Sequence, residues 1–334
     1  MHKRFLGAFW FLLIVLSIHA QSPREKGLKS ITQHSAEAIV GFLANDELEG
    51  REAGQHGSRL AARYIVSRLK EIGIAPLDSL GYYQPFEGYR KERQQKGRWE
   101  VDPDSIATIK KGTHRCLSMA NVLGVVPGKR QNEFVVVGAH FDHLGTDPAL
   151  VNDQIYNGAD DNASGVSAVL QIAKAFMETG KQPLRTVIFA FWDGEEIGLL
   201  GSKYFTQTFP SIERIKGYLN FDMIGRNTDN ARPEHVVYFY TASHPVFGEW
   251  LKEDIRQYGF RLQPDYRSWD KPVGGSDNAS FARFEVPIIW YHTDGHPDYH
   301  QPSDHADKLN FEKLTYITKA AFLNAWNLAN ETDY

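Results

Sequence analysis

From Asn121 onward, short apolar runs alternate with amphipathic segments. Short apolar runs bounded by turn residues are typical of buried strands, whereas apolar residues that recur at helical spacing predict helices. The predicted strands are Phe134–Gly138, Thr186–Phe191, Tyr218–Phe221, Val236–Tyr240 and Val286–Trp290. Strands that alternate with helices are typical of an α/β fold with a mostly parallel central sheet.

Helices are predicted before, between and after these strands. They are Leu28–Leu43, a segment from Leu60 to Ile72 that ends at Gly73, a segment from Val166 to Met177 that ends at Gly180, and a last one from Phe311 to Ala321. Residues 81–118 are polar and irregular. Because they are too few to form an inserted domain of typical size, we interpret them as an excursion from a single domain, residues 21–334.

Residues 1–20 have the pattern of a targeting segment. Lys3 and Arg4 precede the apolar run Phe5–Leu16, and the small residue Ala20 follows. This order is typical of a secretory signal peptide, which we expect to be cleaved before Gln21. The apolar run is shorter than the ~20 residues that span a bilayer. We therefore expect export to the periplasm or the medium, without stable membrane insertion.

Composition narrows the class of partner. The 334 residues carry a formal net charge of -4, and no dense stripe of Lys and Arg occurs. Because binding to a nucleic-acid backbone needs clustered positive charge, we expect no nucleic-acid partner. Cys116 is the single cysteine of the chain, so no intramolecular disulfide is expected.

Acids and histidines gather where the predicted strands end. They are His140 and Asp142, Asp160 and Asp161, Glu195 and Glu196, Asp222, and His300 in a histidine-rich loop. Ligands of parallel sheets bind beyond the carboxyl ends of the strands, so we expect these side chains to meet at one edge. His292, His296 and His305 are alternative ligands from the same loop region.

Each residue alone has a simpler interpretation. A histidine at a strand end is often a surface residue, and acids at a helix start often cap the helix. In combination, imidazoles and carboxylates without a thiolate favour zinc, although manganese and cobalt accept the same groups. Asp142, two residues after His140, is placed to orient that imidazole. The side chains of the adjacent residues Glu195 and Glu196 point in different directions. One is therefore expected to bind metal and the other to act as a base.

The order of these residues resembles a family of two-zinc exopeptidases that includes bacterial leucyl aminopeptidase, glutamate carboxypeptidase and glutaminyl cyclase. The matching segments are Asp46–Arg51, Gly138–Asp142, Gly158–Gly165, Gly194–Ser202, Phe221–Met223 and Tyr299–His300. The resemblance implies a zinc-exopeptidase-like fold, which is a three-layer α/β/α arrangement with a mostly parallel mixed central sheet.

The resemblance also implies two zinc ions per chain and a set of ligands. His140 and Asp222 would bind one zinc, Glu196 and His300 would bind the other, and Asp160 would bridge the two.

The resemblance assigns supporting roles to three further acids. Glu195 would be the general base, and Asp142 and Asp161 would lie behind the ligands. A cis peptide bond of the family would fall between Asp160 and Asp161.

The chain departs from the family near the expected substrate site. In the stretch Gly275–Phe281, Asn278 stands where the family usually has His. Some aminopeptidases place an oxyanion-stabilising Tyr just before this stretch, and here that Tyr is missing. We expect Asp277 and Phe281 to contact substrate. We expect Tyr299 to stabilise the oxyanion instead, with packing as its alternative role.

The resemblance and the complete ligand set predict an aminopeptidase that acts on peptide substrates. Glutaminyl cyclase, which closes N-terminal Gln with one zinc, is an alternative, but such relatives typically lack the doubled Asp160–Asp161 and often have Trp in place of Tyr299. A non-catalytic ectodomain of the same fold is a further alternative, but such proteins lose ligands, and none is missing here.

Overall fold

The computed structural model describes residues 21–92, 98–269 and 274–332. The predicted signal segment lies outside these ranges, as do Pro272 and Val273. Within the described ranges, no helix has both the length and the apolar character needed to cross a membrane.

The elements follow one another from an all-helical start into alternating strands and helices. The strands are β1 (Ala75–Pro76), β2 (Tyr83–Lys91), β3 (His114–Val126), β4 (Arg130–His140), β5 (Arg185–Trp192), β6 (Ile215–Phe221), β7 (His235–Thr241), β8 (Gln263–Trp269) and β9 (Ile288–His292). The helices are α1 (Pro23–Ser30), α2 (Gln33–Leu43), α3 (His56–Ile72), α4 (Pro103–Ile109), α5 (Gly165–Glu178), α6 (Leu200–Thr208), α7 (Val246–Tyr258), α8 (Asn278–Ala282) and α9 (Phe311–Asn330). A 3₁₀ turn spans Asp46–Arg51, and an irregular turn, Ala159–Ser164, leads into α5.

The strands form one mixed sheet in the order β1-β3-β5-β4-β6-β9-β7-β8, and β2 pairs with β3. Strands β5, β4, β6 and β9 pair in parallel and occupy the centre of the sheet. Strand β3 joins them antiparallel on one side, and β7 joins them antiparallel on the other. The predicted α/β fold with a mixed central sheet is therefore confirmed.

Successive side chains of the central strands enter two different cores, because neighbouring residues of a strand point to opposite faces. In β4, Val135 and Val137 pack into the larger core, which also contains residues of α2, α3, α5 and α9. Val136 packs on the other face into a smaller core with Phe205 of α6 and Phe281 of α8. Helices on both faces of the sheet give the three layers that the resemblance implied.

Several parts of the fold differ from the sequence-based prediction, which also contained neither α6 nor α7. The described part of residues 81–118 is not irregular, since it includes β2, α4 and the start of β3. The single helix predicted over Leu28–Leu43 is two helices, because Thr32 interrupts the helix and caps α2 through a hydrogen bond from the Ser35 amide. Strand β8 was not predicted, because its residues are partly exposed at the edge of the sheet and form no apolar run.

Candidate metal centre

Neighbouring parallel strands carry the candidate ligands at their carboxyl ends. His140 is the last residue of β4, Glu195 and Glu196 follow β5, and Asp222 follows β6. Because parallel strands end at the same edge of a sheet, this topology brings the four side chains together. The turn before α5 and the loop after β9 add Asp161 and His300 to the same edge.

His140, Asp161 and Asp222 form a buried group, which we call the first pocket. The Nε2 atom of His140 lies 3.3 Å from Asp161 Oδ1 and 3.5 Å from Asp222 Oδ1. The Nδ1 atom of His140 lies 3.2 Å from the Asp142 carbonyl oxygen. Because a carbonyl oxygen only accepts, Nδ1 carries the proton of that hydrogen bond and Nε2 is left to bind a cation.

Asp161, Glu196, His300 and His143 form the second pocket. The Nε2 atom of His300 lies 3.1 Å from Asp161 Oδ2 and 3.2 Å from Glu196 Oε2. The Nδ1 atom of His143 lies 2.6 Å from Glu196 Oε1. Asp161 thus belongs to both pockets, with Oδ1 in the first and Oδ2 in the second.

The structure puts Asp161, not Asp160, between the two pockets. The cis peptide bond joins Asp161 and Asn162, one residue later than predicted. Asp160 instead accepts a hydrogen bond from the Gly225 amide at 2.6 Å, and its other carboxylate oxygen lies 3.2 Å from His296 Nε2. The predicted bridging position of Asp160 and the predicted cis bond are therefore wrong by one residue, because the turn directs adjacent side chains to different sides.

Asp304 fixes the path of this turn. Its Oδ2 accepts hydrogen bonds from the backbone amides of Asp160 at 2.9 Å and Asp161 at 3.1 Å. Asp304 is fully buried, and its burial raises the pKa of the carboxyl group to about 6.

Asp142 supports the centre in a different way from the one predicted. Its carboxylate accepts hydrogen bonds from the backbone amides of Glu195 at 3.0 Å and Glu196 at 3.3 Å. It lies farther from the His140 imidazole, with 3.8 Å between His140 Nδ1 and Asp142 Oδ1. The carboxylate therefore orients the segment that carries the two glutamates, while the Asp142 carbonyl orients the imidazole.

Buried carboxylates outweigh the positive charge at this edge of the sheet. Burial raises the pKa of Glu195 and of Asp193 well above the usual range of a carboxyl group. Burial lowers the pKa of His300, but hydrogen bonds to Asp161 and Glu196 outweigh this effect and raise that pKa to about 10. Both kinds of shift show that the cluster favours an added positive charge, which a bound proton or a cation supplies.

The side chains present fit a metal cation. Among the described residues, three overlapping groups place imidazole nitrogens and carboxylate oxygens within 4.8 Å of one another: His140, Asp161 and Asp222; His140, Glu195 and Glu196; His143, Asp161 and Glu196. Nitrogen and oxygen donors in such groups suit zinc, and tetrahedral zinc sites are built from these groups.

The residues predicted near the substrate have different positions. Tyr299 is 46% exposed, and its ring stacks on His300 with 3.9 Å between the ring centroids. Its role with an oxyanion stays a prediction. Phe281 is fully buried and stacks on Tyr218 at 3.8 Å in the smaller core. Its predicted contact with substrate is wrong, because core packing takes up the whole ring. Asp277 is also fully buried, and burial raises its pKa to about 7.

The alternative histidines do not enter the pockets. The Nδ1 atom of His292 donates to the Asp222 carbonyl at 2.7 Å and so supports the segment of a predicted ligand. His296 lies beside Asp160 beneath the turn. His305 pairs with Asp153 at the surface, 3.0 Å away.

Three residues that support the centre, His143, Arg51 and Asp304, were missed in the sequence. His143 follows His140 at an interval of three residues, a spacing that could have drawn attention to it. Arg51 is fully buried, and its guanidinium donates to the carbonyl oxygens of Phe141, Leu43, Asn157 and Gly158. It ties the early 3₁₀ turn to the end of β4 and to the turn before α5. Only its place at the end of the family-like segment Asp46–Arg51 pointed to it.

Comparison with protein families gives a match that covers most of this region. The family model described as "Peptidase family M28" matches residues 121–324, which include the ligand-bearing strand ends, the turn before α5 and the His300 loop.

Comparison with individual proteins gives relatives with peptidase names. The chain is 38% identical over 170 residues to leupeptin-inactivating enzyme 1 of Streptomyces exfoliatus, a match that covers 50% of this chain and 34% of that protein. The chain thus spans about a third of the length of this relative.

Solved structures share the fold at low sequence identity. The LapA aminopeptidase of Legionella pneumophila has a TM-score of 0.69 and 21% identity, over 100% of this chain and 81% of that one. BSAP, a zinc aminopeptidase from Bacillus subtilis, has a TM-score of 0.66 and 14% identity, over 90% of this chain and 96% of that one.

Proposed function

The chain belongs to peptidase family M28, and we propose that it is a zinc-dependent aminopeptidase that removes N-terminal residues from peptides. The orientation of Asp161 is the observation that carries this proposal. Its Oδ1 lies 3.3 Å from His140 Nε2, and its Oδ2 lies 3.1 Å from His300 Nε2. One carboxylate shared by two groups of ligands is an arrangement that suits two metal ions close together.

We assign the ligands from this geometry. His140 and Asp222 would hold one zinc ion, Glu196 and His300 would hold the second, and Asp161 would bind both. When bound, the zinc ions supply Lewis acidity, which polarises the scissile carbonyl and lowers the pKa of a water molecule.

Glu195 is the general base in this proposal. It is partly buried beside His140 and Glu196, and its backbone amide is held by Asp142. Burial raises the pKa of its carboxyl group. A raised pKa makes the carboxylate a better proton acceptor near neutral pH. Glu195 takes a proton from the attacking water and passes it to the amine that leaves.

The excess of carboxylates supports action at a free N-terminus. Asp161, Asp222, Glu195 and Glu196 line the two pockets, and the buried acids Asp142, Asp193 and Asp277 interact with them or with one another. These seven carboxyl groups exceed the four positive charges of two zinc ions, so the site favours a peptide α-ammonium group. This charge complementarity favours peptides whose free N-terminus lies at the site over peptides that pass through the site. The names of the LapA and BSAP aminopeptidases, which share the fold, support the same choice.

A substrate panel tests this proposal. We expect hydrolysis of aminoacyl and unblocked peptide substrates, and loss of hydrolysis when the N-terminus is acetylated. Chelation should abolish the activity and added zinc should restore it, with zinc analysis near two ions per chain. Cleavage of blocked peptides at an equal rate would contradict exopeptidase action. One zinc per chain with cyclisation of N-terminal Gln would contradict hydrolysis.

A further inference from the structure

His143 is a buried histidine of the second pocket that has no role in the proposed ligand set. It is 2% exposed and lies three residues beyond the end of β4. Its backbone amide donates to the Arg51 carbonyl at 3.0 Å. Its ring lies against Gly158, where an added Cβ would come within 2.5 Å of the ring. The structure therefore makes room for this imidazole at a position that a larger residue at 158 would block.

One ring nitrogen of His143 has a clear partner. Nδ1 lies 2.6 Å from Glu196 Oε1, a direct hydrogen-bond distance. An ionised carboxylate only accepts, so Nδ1 carries the proton and donates it to this bond. Nε2 is buried and has no hydrogen-bond partner among the described residues. Nδ1 is thus the ring atom that contacts Glu196, and this hydrogen bond fixes the orientation of the ring.

The distances separate His143 from the proposed ligands. Two atoms bound at ~2.1 Å to one tetrahedral zinc lie roughly 3.4 Å apart. His300 Nε2 lies 3.1 Å from Asp161 Oδ2 and 3.2 Å from Glu196 Oε2, close to that separation. The 2.6 Å between His143 Nδ1 and Glu196 Oε1 is too short for two ligands of one ion and matches a hydrogen bond.

The two oxygens of Glu196 are consequently used for different purposes. Oε1 accepts from His143, and Oε2 faces His300. A carboxylate held through one oxygen keeps the other aimed at the metal, and such outer hydrogen bonds set the orientation of ligands.

We propose that His143 is a positioning residue that holds Glu196 in the second pocket and so tightens zinc binding there without itself binding the metal. The proposal rests on the proposed function for the assignment of Glu196 as a ligand. It adds the prediction that the affinity of the second zinc depends on a hydrogen-bond donor at the Nδ1 position.

Zinc titration of the metal-free full chain tests the proposal. His143→Ala removes the donor, and we expect the dissociation constant of the second zinc to rise about 10–100-fold, the usual effect of losing an outer partner. His143→Asn places an amide N–H where Nδ1 lies, so it should restore affinity to within a few fold of wild type. His34→Ala, at a histidine whose side chain is 95% exposed, is the matched control and should leave both dissociation constants unchanged.

The variants also separate positioning from ligation. If His143 is a zinc ligand, His143→Asn will bind the second zinc as weakly as His143→Ala, and the proposal is overturned. Should His143→Ala fail to fold, as judged by circular dichroism, His143→Leu fills the space without a donor and takes its place. Equal zinc affinity in all variants of a two-zinc chain would overturn this proposal alone. A wild-type chain that binds one zinc would overturn the proposed function together with it.

Discussion

Adjacent acids in this chain have different surroundings, and the surroundings decide what each can do. Asp161 faces His140 and His300, whereas Asp160 points beneath the turn toward Gly225 and His296. Residue type and burial do not distinguish the two acids, since both are aspartates and both are almost fully buried. Only the path of the backbone, held by hydrogen bonds to Asp304, separates a shared ligand from a supporting residue.

Asp161→Asn and Asp160→Asn should therefore differ in zinc content. Asp161→Asn replaces one oxygen of the shared carboxylate by an amide nitrogen, which cannot bind a cation, and removes the negative charge that both pockets use. Both pockets should therefore weaken by more than the roughly 10–100-fold typical of an outer partner. Asp160→Asn keeps an acceptor for the Gly225 amide and should retain zinc. Metal analysis after dialysis against a weak chelator measures the difference. Equal zinc loss in the two variants would return Asp160 to the set of possible bridging ligands.

Glu195 and Glu196 should likewise give different variants. Glu195→Gln cannot accept a proton, so kcat should fall by about 10²–10⁴, the usual contribution of a general base, while zinc content stays near wild type. Glu196→Gln weakens a ligand, so it should lose zinc and recover part of its activity at high zinc concentration. The measurement is zinc per chain beside kcat for each variant. Zinc loss in Glu195→Gln would reverse the two assignments, and full activity in both would move the chemistry elsewhere.

At the scale of elements, the sequence predicts the strands that are buried on both faces and misses the strands that are half exposed. The central strands β4, β5, β6 and β9 form apolar runs because helices cover both of their faces, so their approximate positions were predicted. Strand β2 has Pro85 and Gly88 and alternates between exposed and buried residues. Strand β8 lies at the end of the sheet order. Such edge strands leave little apolar pattern, and only pairing with a neighbour defines them.

The same limit applies to the candidate site. The sequence could predict the residues at strand ends, because the carboxyl ends of parallel strands lie at one edge of the sheet. These residues are His140, Glu195, Glu196 and Asp222. Asp304 and Arg51 act through backbone groups of distant segments. No local pattern marks such a contact, so the roles of these two residues became clear only in the structure.

Arg51 gives a prediction for how elements are held together. Arg51→Met keeps the apolar stem but leaves the carbonyls of Phe141, Leu43, Asn157 and Gly158 without this donor. Each buried acceptor left unpaired costs about 1–3 kcal/mol when water cannot replace the donor. Partial relaxation will reduce the sum, so we expect the free energy of unfolding to fall by about 2–4 kcal/mol in urea titration.

A surface arginine provides the comparison for this variant. Arg68 forms an exposed ion pair with Glu71, so Arg68→Met should change the free energy of unfolding by less than about 0.5 kcal/mol. A loss at Arg51 no larger than that at Arg68 would show that water satisfies the four carbonyls and that Arg51 does not tie the turns together.

Across the whole molecule, the fold concentrates buried acids on one side. Asp142, Asp193 and Asp222 follow strands that end at the same edge of the sheet, and Asp277 interacts electrostatically with Asp142 and Asp222. All four acids are nearly or fully buried. Burial raises the pKa of Asp142 to about 6 and that of Asp277 to about 7. A sheet that collects negative charge in its interior gains stability from any cation bound there, so the metal and the fold are energetically linked.

This link predicts how stability depends on pH. Asp277 has a folded pKa of about 7, above the model-peptide value, so the metal-free folded chain binds more protons than the unfolded chain until the pH exceeds that value. His300, with a pKa raised to about 10, has the same effect from pH 6.5 upward. Because the folded state holds the extra protons, the free energy of unfolding falls as the pH rises. Lys313, with a pKa lowered by burial to about 8, acts in the opposite direction, but chiefly above that pH.

Calorimetry of chelator-treated and zinc-loaded protein at pH 6.5 and pH 8 measures this effect. We expect the Tm of the metal-free chain to be lower at pH 8 than at pH 6.5, because Asp277 and His300 lose protons that the folded state favours. In the loaded chain zinc supplies the positive charge in place of those protons, so its Tm should change less. The rise in Tm caused by zinc should then be larger at pH 8, where deprotonated ligands also bind zinc more tightly. A metal-free Tm that increases from pH 6.5 to pH 8 would show that the acids at the sheet edge are already neutralised by other groups.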